Sequence, residues 1–300
     1  MSGYINNNND LFIEPVTKQY GNHMIMTNVH KPPKHKYVNI DTKFRDDYYQ
    51  QTSSNCNITL PERINDVKTI SITNVEIPIT FYNISSSFDN NYFNIHVNAT
   101  DIVITIPDGN YDNNTLIDAI NTECLTHELT FTILLNNKIK VISNNPTTIK
   151  LTFDINNYDN YTSSSKLGWM LGFRKNEYNI ELNATQICET ILDLSGPVYL
   201  YLAIDEFNKN NQNTFVSPLS MTTSTINKNI LARISLDMKN YPFGTTMPVN
   251  RQNGMLISDT RIYSGKIDLC KLNIQVLDKY GKYIDFNGMD ISFCIEIKNE

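Results

Sequence analysis

The sequence predicts an all-β protein, an antiparallel β sandwich with one helical insertion and an extended N-terminal arm. Three observations predict it. Short runs rich in Ile, Val, Tyr and Thr recur along most of the 300 residues, the residue types that fit a pleated, half-buried surface. Asn- and Gly-bearing turns separate them, and Asn tolerates left-handed backbone while bonding to its own neighbours. Only one long stretch, Asp112 to His127, carries its apolar residues at helical spacing.

Residues 1 to 36 open the chain with no stable period, an Asn run, Pro15 and the pair Pro32-Pro33, and read as an extended arm. Residues 37 to 300 read as the β domain. Val67 to Ile77 forms a strand buried on one face or nearly both. Tyr92 to Val97 and Ile102 to Ile106 make a hairpin around Asn98 to Asp101. Leu129 to Leu135 and Lys138 to Ile142 make a second, with Asn136-Asn137 suited to the positive φ angles of a type I′ turn. Between the hairpins, Leu116, Ile117, Ile120 and Cys124 mark the helix, with Asp112 or Asn113 as its N-cap. Thr148 to Phe153 is a strand, and Lys166 to Phe173 a short helix or turn. Gln186 to Leu192, Val198 to Ile204, Ile230 to Leu236, Lys266 to Leu277 and Ile291 to Ile297 are the remaining strands. Residues 206–229 and 237–264 read as long polar loops.

Composition narrows the function classes. With 25 Lys and Arg against 31 Asp and Glu, the net charge is -6 and 40% of residues are hydrophobic. A folded, mildly acidic chain is a poor nucleic-acid binder, because the phosphate backbone selects a basic field. The local exception, Lys31-Pro-Pro-Lys-His-Lys36, reads as a solubilising linker. Cys56, Cys124, Cys188, Cys270 and Cys294 are odd in number and widely spaced, which argues against a disulfide framework and against zinc. Cys188, Cys270 and Cys294 fall in apolar runs and read as small hydrophobes in a reducing compartment. No signal peptide and no membrane-length apolar run is expected.

Catalytic constellations are missing. His23, His30, His35, His96 and His127 form no metal-ligand pair, and no P-loop, GxGxxG or GxSxG motif occurs. The carboxylate pairs Asp46-Asp47 and Asp205-Glu206 read as solvated turn residues. Asp285 to Asp290 has too few ligands for calcium and reads as a tight turn. The sequence therefore predicts no enzyme, no metal and no cofactor.

Five blocks carry a resemblance. They are IDTKFRD (40–46), ISITNVEIPITFYNIS (70–85), IPDGNYDNNTLIDAIN (106–121), LGWMLGFR (167–174), and the stretch from Gly265 through Asp278-Lys-Tyr-Gly281 to Phe293. In this order the set resembles capsid-associated proteins, of penton and minor-capsid type, of nucleocytoplasmic large DNA viruses. Thr42 stands where those proteins carry serine or asparagine, a conservative departure. The resemblance implies a jelly-roll-like sandwich and a structural role in the virion, in a capsid assembled in the host cytoplasm. It implies the major capsid protein and other capsid subunits as partners, and a homo-oligomer, pentameric for a penton. Arg45 and Arg174 read as buried or subunit-bridging guanidiniums, whose planar forks hold carboxylates, or as ordinary surface arginines; with Trp169 and Phe173, which supply buried surface, they are the candidate assembly contacts. The alternative is a host-surface glycan-binding β sandwich using loop 206–229. Asp278 to Gly281 is expected to turn the chain from Lys271–Leu277 into the last strand.

Overall fold

The structure, a computed structural model, describes residues 34–153, 165–207 and 229–299, with the backbone of β1 (Thr17–Tyr20) and β2 (His23–Met26). These two strands pair with each other. The main sheet starts with β3 (Lys34–Asp41) and β4 (Asn55–Pro78). Lys34 to Lys36, read from the sequence as arm, are strand and pair with the C-terminal residues Asn299 to Ile297.

The chain then builds a second module. A four-stranded sheet holds β5 (Tyr92–Val97), β6 (Thr100–Thr105), β9 (Ile149–Thr152) and β10 (Glu177–Ile180). A three-stranded sheet holds β7 (Leu129–Ile133), β8 (Ile139–Ser143) and β11 (Thr185–Ile187). Between β6 and β7 runs α1 (Asn113–Cys124), followed by a 3-10 turn to His127. Asp112 caps the helix by accepting from the Asn114 and Thr115 amides, while the Thr115 hydroxyl accepts from the Asp112 amide in return. The four periodic residues are buried. Asn121 fixes the helix to β7 by accepting the Phe131 amide at 2.7 Å and donating to its carbonyl at 2.9 Å. The short helix α2 (Leu167–Met170) closes this core.

Both hairpin turns differ from expectation. At β5–β6 the two central residues are Asn98 and Ala99, both with positive φ, the geometry of a type I′ turn. At β7–β8 only Asn137 is left-handed, and the Asn137 amide donates to the Leu134 carbonyl. Leu134 also bonds to Lys138, so the connection has three residues with one αL position.

The chain returns to the main sheet through β12 (Tyr199–Asp205), β13 (Ile230–Ser235), β14 (Thr246–Asn250), β15 (Leu256–Ser258), β16 (Arg261–Leu277) and β17 (Ser292–Asn299). The order is β15-β13-β12-β16-β4-β17-β3, with β14 added on β4, and every pairing is antiparallel. Three register shifts between β16 and β4 bend the sheet, as bulges do. The curl brings β15 back to β4, where the Ile72 amide donates to Ser258 Oγ at 3.0 Å. The result is a curled, jelly-roll-like half-barrel whose core holds Ile70, Ile72, Val75 and Ile77 with Ile274, Val276, Phe293 and Ile295. The second module has its own core around Phe93, Phe131, Phe153 and Phe173.

Other expectations are revised. The span 237–264 is no plain loop, because β14 and β15 lie inside it. In 206–229, residues 208–228 lie outside the described residues. The turn at Asp278 forms, with the Gly281 amide on the Asp278 carbonyl at 3.1 Å. Beyond this turn the chain first runs back beside β16, where Ile284 N donates to Val276 O, and β17 then pairs with β3 and β4 instead. All five cysteines are free thiols, and Cys270 is exposed rather than a core hydrophobe, because its neighbours Leu269 and Leu272 take the inward positions.

Candidate functional site

Two places gather the residues singled out in the sequence. The first is the turn between β3 and β4. Asp41 accepts the Lys43 amide at 2.8 Å and starts a 3-10 turn over Thr42–Phe44. Arg45 comes next, with its side chain only 7% exposed. Its Nη1 donates to Asp290 Oδ1 at 2.5 Å and to the Thr42 carbonyl at 2.7 Å. Its Nε donates to the Gln51 carbonyl at 2.9 Å, and its guanidinium lies 3.9 Å from the Tyr48 ring centre. Arg45 is therefore an internal strut of the folded chain. The residues it steadies face outward, Phe44 at 76% and Tyr49 at 95% exposure. Tyr48 meets Tyr49 edge to face at 5.4 Å. Exposed Met289 adjoins this turn, its carbonyl accepting from Ser53 Oγ at 2.7 Å.

The second place is the segment Leu167 to Arg174. It turns tightly because two positions admit only glycine. A Cβ on Gly168 would lie 2.3 Å from the Phe153 ring, and Gly172 has φ +94 with the Thr190 carbonyl equally close. Phe173 is consequently fully buried, stacked on Phe153 at 4.7 Å and against Tyr178 at 5.0 Å. It presents nothing to a neighbour in the folded chain. Trp169 and Arg174 stay half-buried, with the guanidinium 3.9 Å from the indole centre and Nη1 donating to the carbonyls of Trp169 and Phe173. The Arg174 amide and the Lys175 amide donate to the Tyr178 hydroxyl, which in turn donates to Glu189 Oε2 at 2.7 Å. Burial, reinforced by Glu189, pushes the Tyr178 hydroxyl up to about 12.

Trp169 and Arg174 line a cleft of about 260 Å³ between the two modules. The opposite wall is the turn after β16, with Lys279, Tyr280 and Lys282. Lys282 Nζ reaches the Phe88 carbonyl at 3.4 Å, and Phe88 packs against the half-barrel core. Asp193 stands at the rim, where its Oδ1 accepts from the amide and the hydroxyl of Ser195. Those two bonds, helped by Lys279 and Arg174, hold its carboxyl below the usual range. Asp278 shows the opposite behaviour. Burial raises its carboxyl above the ordinary value, although the Tyr280 and Lys282 amides donate to it.

One cluster overturns a sequence reading: Glu206, read as a solvated turn residue, is buried, because the curled sheet brings Arg261 and Tyr263 against it. Arg261 and Glu206 form an ion pair at 2.6 Å with both side chains 0% exposed. Arg261 Nη1 also donates to the Ile204 carbonyl, and Nη2 to the Asn229 carbonyl. Tyr263 donates to the same Glu206 oxygen at 2.6 Å, and burial beside that carboxylate raises its hydroxyl far above the ordinary tyrosine range. The guanidinium thus joins the end of β12 to the start of β13. Glu206 and Arg261 are 55 residues apart, and no local pattern links them. Among the described residues no group of three or more His, Cys, Asp or Glu could hold a metal, and no helix is long and apolar enough to cross a membrane.

The chain matches no protein-family model and no curated protein. Among solved structures it is similar to the penton protein of mavirus, with 11% identity and a TM-score of 0.44 over 89% of this chain and 100% of that one. It is also similar to a chain of the Sputnik virophage particle, with 14% identity and a TM-score of 0.39 over 90% of this chain and 98% of that one.

Proposed function

We propose that this chain is a structural virion protein, a penton or other minor component of a capsid, that works through contacts between subunits. The observation that carries the reading is the aromatic pair Phe44 and Tyr49, held out by the Arg45–Asp290 strut. Large aromatics exposed on a rigid support are the residues that dominate protein interfaces, because their burial costs little further ordering. The five ordered sequence blocks support the same reading, and assembly requires no catalytic group. Partners on this reading are other copies of the chain and the major capsid protein, in a capsid put together in the host cytoplasm.

Arg45 then acts from inside the subunit, while Phe44, Tyr48 and Tyr49 make the contact. The test is light scattering of the full chain over a range of concentrations, alone and with the major capsid protein. A discrete homo-oligomer or a defined complex is expected, and a pentamer fits the vertex position. The double variant Phe44→Ala/Tyr49→Ala is expected to lose that association at an unchanged melting temperature. Association unaffected by the double variant would remove this turn from the interface.

A further inference from the structure

We infer that β3 is a self-pairing edge: two copies of the chain join β3 to β3 in antiparallel register about a two-fold axis at Val38, and their main sheets run on as one. The inference rests on the assembly reading and gives that association a geometry. β3 ends the main sheet and pairs with β17 alone among the described strands. Its register with β17 runs from Lys34 to Asp41 without a shift. The Thr42 amide donates to the Ile291 carbonyl at 3.0 Å, which sets the phase of the ladder. Even-numbered residues of β3 therefore bond to β17, while His35, Tyr37, Asn39 and Asp41 turn their amides and carbonyls to the open edge. No turn or loop supplies a partner for those groups among the described residues. An edge of this length, with no bulge and no proline, is a template for another strand.

The strand's own sequence selects the partner and the direction. Lys34, His35 and Lys36 are basic and exposed at one end, and Asp41 is acidic at the other. Parallel pairing of two copies would set the basic ends side by side. Antiparallel pairing parts them by about eight residues, roughly 27 Å along the strand, and puts His35 across from Asp41 of the second copy. The register in which every outward residue finds a partner is centred on Val38. In it His35 meets Asp41, Tyr37 meets Asn39, and Val38 meets its own counterpart. Half-buried Val38 is thereby covered, and exposed Tyr37 lies against the neighbouring strand. Lys34 stands across from Thr42, so each copy's Phe44 turn sits beside Lys34 of the other, where aromatic face and ammonium attract. An unrelated strand would have to match this charge order, whereas a second copy matches it by symmetry.

The full-length chain is followed by analytical ultracentrifugation over a range of concentrations, and a monomer–dimer equilibrium is expected. Asn39→Pro removes an amide that only the second copy uses, and is expected to weaken the dimer about tenfold at an unchanged melting temperature. Val38→Cys is made in a Cys270→Ser background, which removes the exposed thiol. It is expected to give a disulfide-linked dimer under mild oxidation, because the facing residues of such a pair lie about 4.5 Å apart. This second variant decides the matter if Asn39→Pro fails to fold. A chain lacking residues 1–33 is expected to dimerise as the full chain does. Loss of the dimer in that chain overturns the inference in favour of the N-terminal segment as the occupant of the edge. A monomer at every concentration, a pentamer, or a dimer that Asn39→Pro leaves intact and Val38→Cys fails to link overturns it as well. The assembly reading is then judged separately, on Phe44→Ala/Tyr49→Ala and on the complex with the major capsid protein.

Discussion

At the scale of single residues, the buried trio Glu206, Arg261 and Tyr263 is a costly arrangement. Two charges removed from water need each other, and breaking such a pair leaves one of them uncompensated. Arg261→Ala is expected to destabilise the protein by about 3–5 kcal/mol, read by chemical denaturation. Tyr263→Phe removes one donor to Glu206 and is expected to cost about 1–3 kcal/mol. A loss no greater than that of an exposed substitution would mean that the trio relaxes with water present. Asp278 supplies a pH prediction. Its folded carboxyl titrates above the unfolded value of 3.8, so the native state binds this proton more tightly and stability declines as pH rises from about there through the folded pKa. Asp278→Asn removes that decline while retaining an oxygen for the Tyr280 and Lys282 amides. Its melting temperature relative to wild type is therefore expected to improve between pH 3 and pH 7, and a flat difference across that range would contradict the assignment.

At the scale of elements, α1 and the Leu167–Arg174 segment show local and distant forces in turn. The helix arises from residues within it: a capping box, and four apolar residues on one face. The second segment is set by what lies opposite, because Phe153 and Thr190 leave no room for a Cβ at Gly168 or Gly172. Gly168→Ala must displace the Phe153 ring and is expected to cost about 1–3 kcal/mol. That loss should appear with a change in Trp169 emission, since Trp169 adjoins the shifted backbone. Unchanged stability would show that the aromatic cluster repacks freely.

At the scale of the molecule, two cores share one chain. The half-barrel is built from residues at both ends of the described sequence, and the second module is inserted between β4 and β12. Main-sheet pairing begins at Lys34, and β1 and β2 pair only with each other among the described strands. Deletion of residues 1–33 is therefore expected to leave the melting temperature unchanged while weakening incorporation into particles. A large drop in melting temperature would instead make that segment part of the core.

The sequence by itself determined the all-β class, the helix over 112–127, most of the strands between Tyr92 and Ile297, and the turn at Asp278. Each depends on signals within a few residues: alternation, capping and left-handed Asn. Arg45 and Arg174 were legible as buried or subunit-bridging guanidiniums, but their partners were not, since Asp290 and the Trp169 and Phe173 carbonyls are brought to them only by folding. Only the tertiary structure decided that the helix belongs to a whole inserted module, that β14 and β15 complete the curl, and that Glu206 meets Arg261. The reason is physical. Sheet pairing and charge pairing join residues tens to hundreds of positions apart, and their free energy is realised only once the intervening chain has closed. A short period in the sequence reports which face a residue prefers, while the identity of what lies across that face is a property of the whole fold.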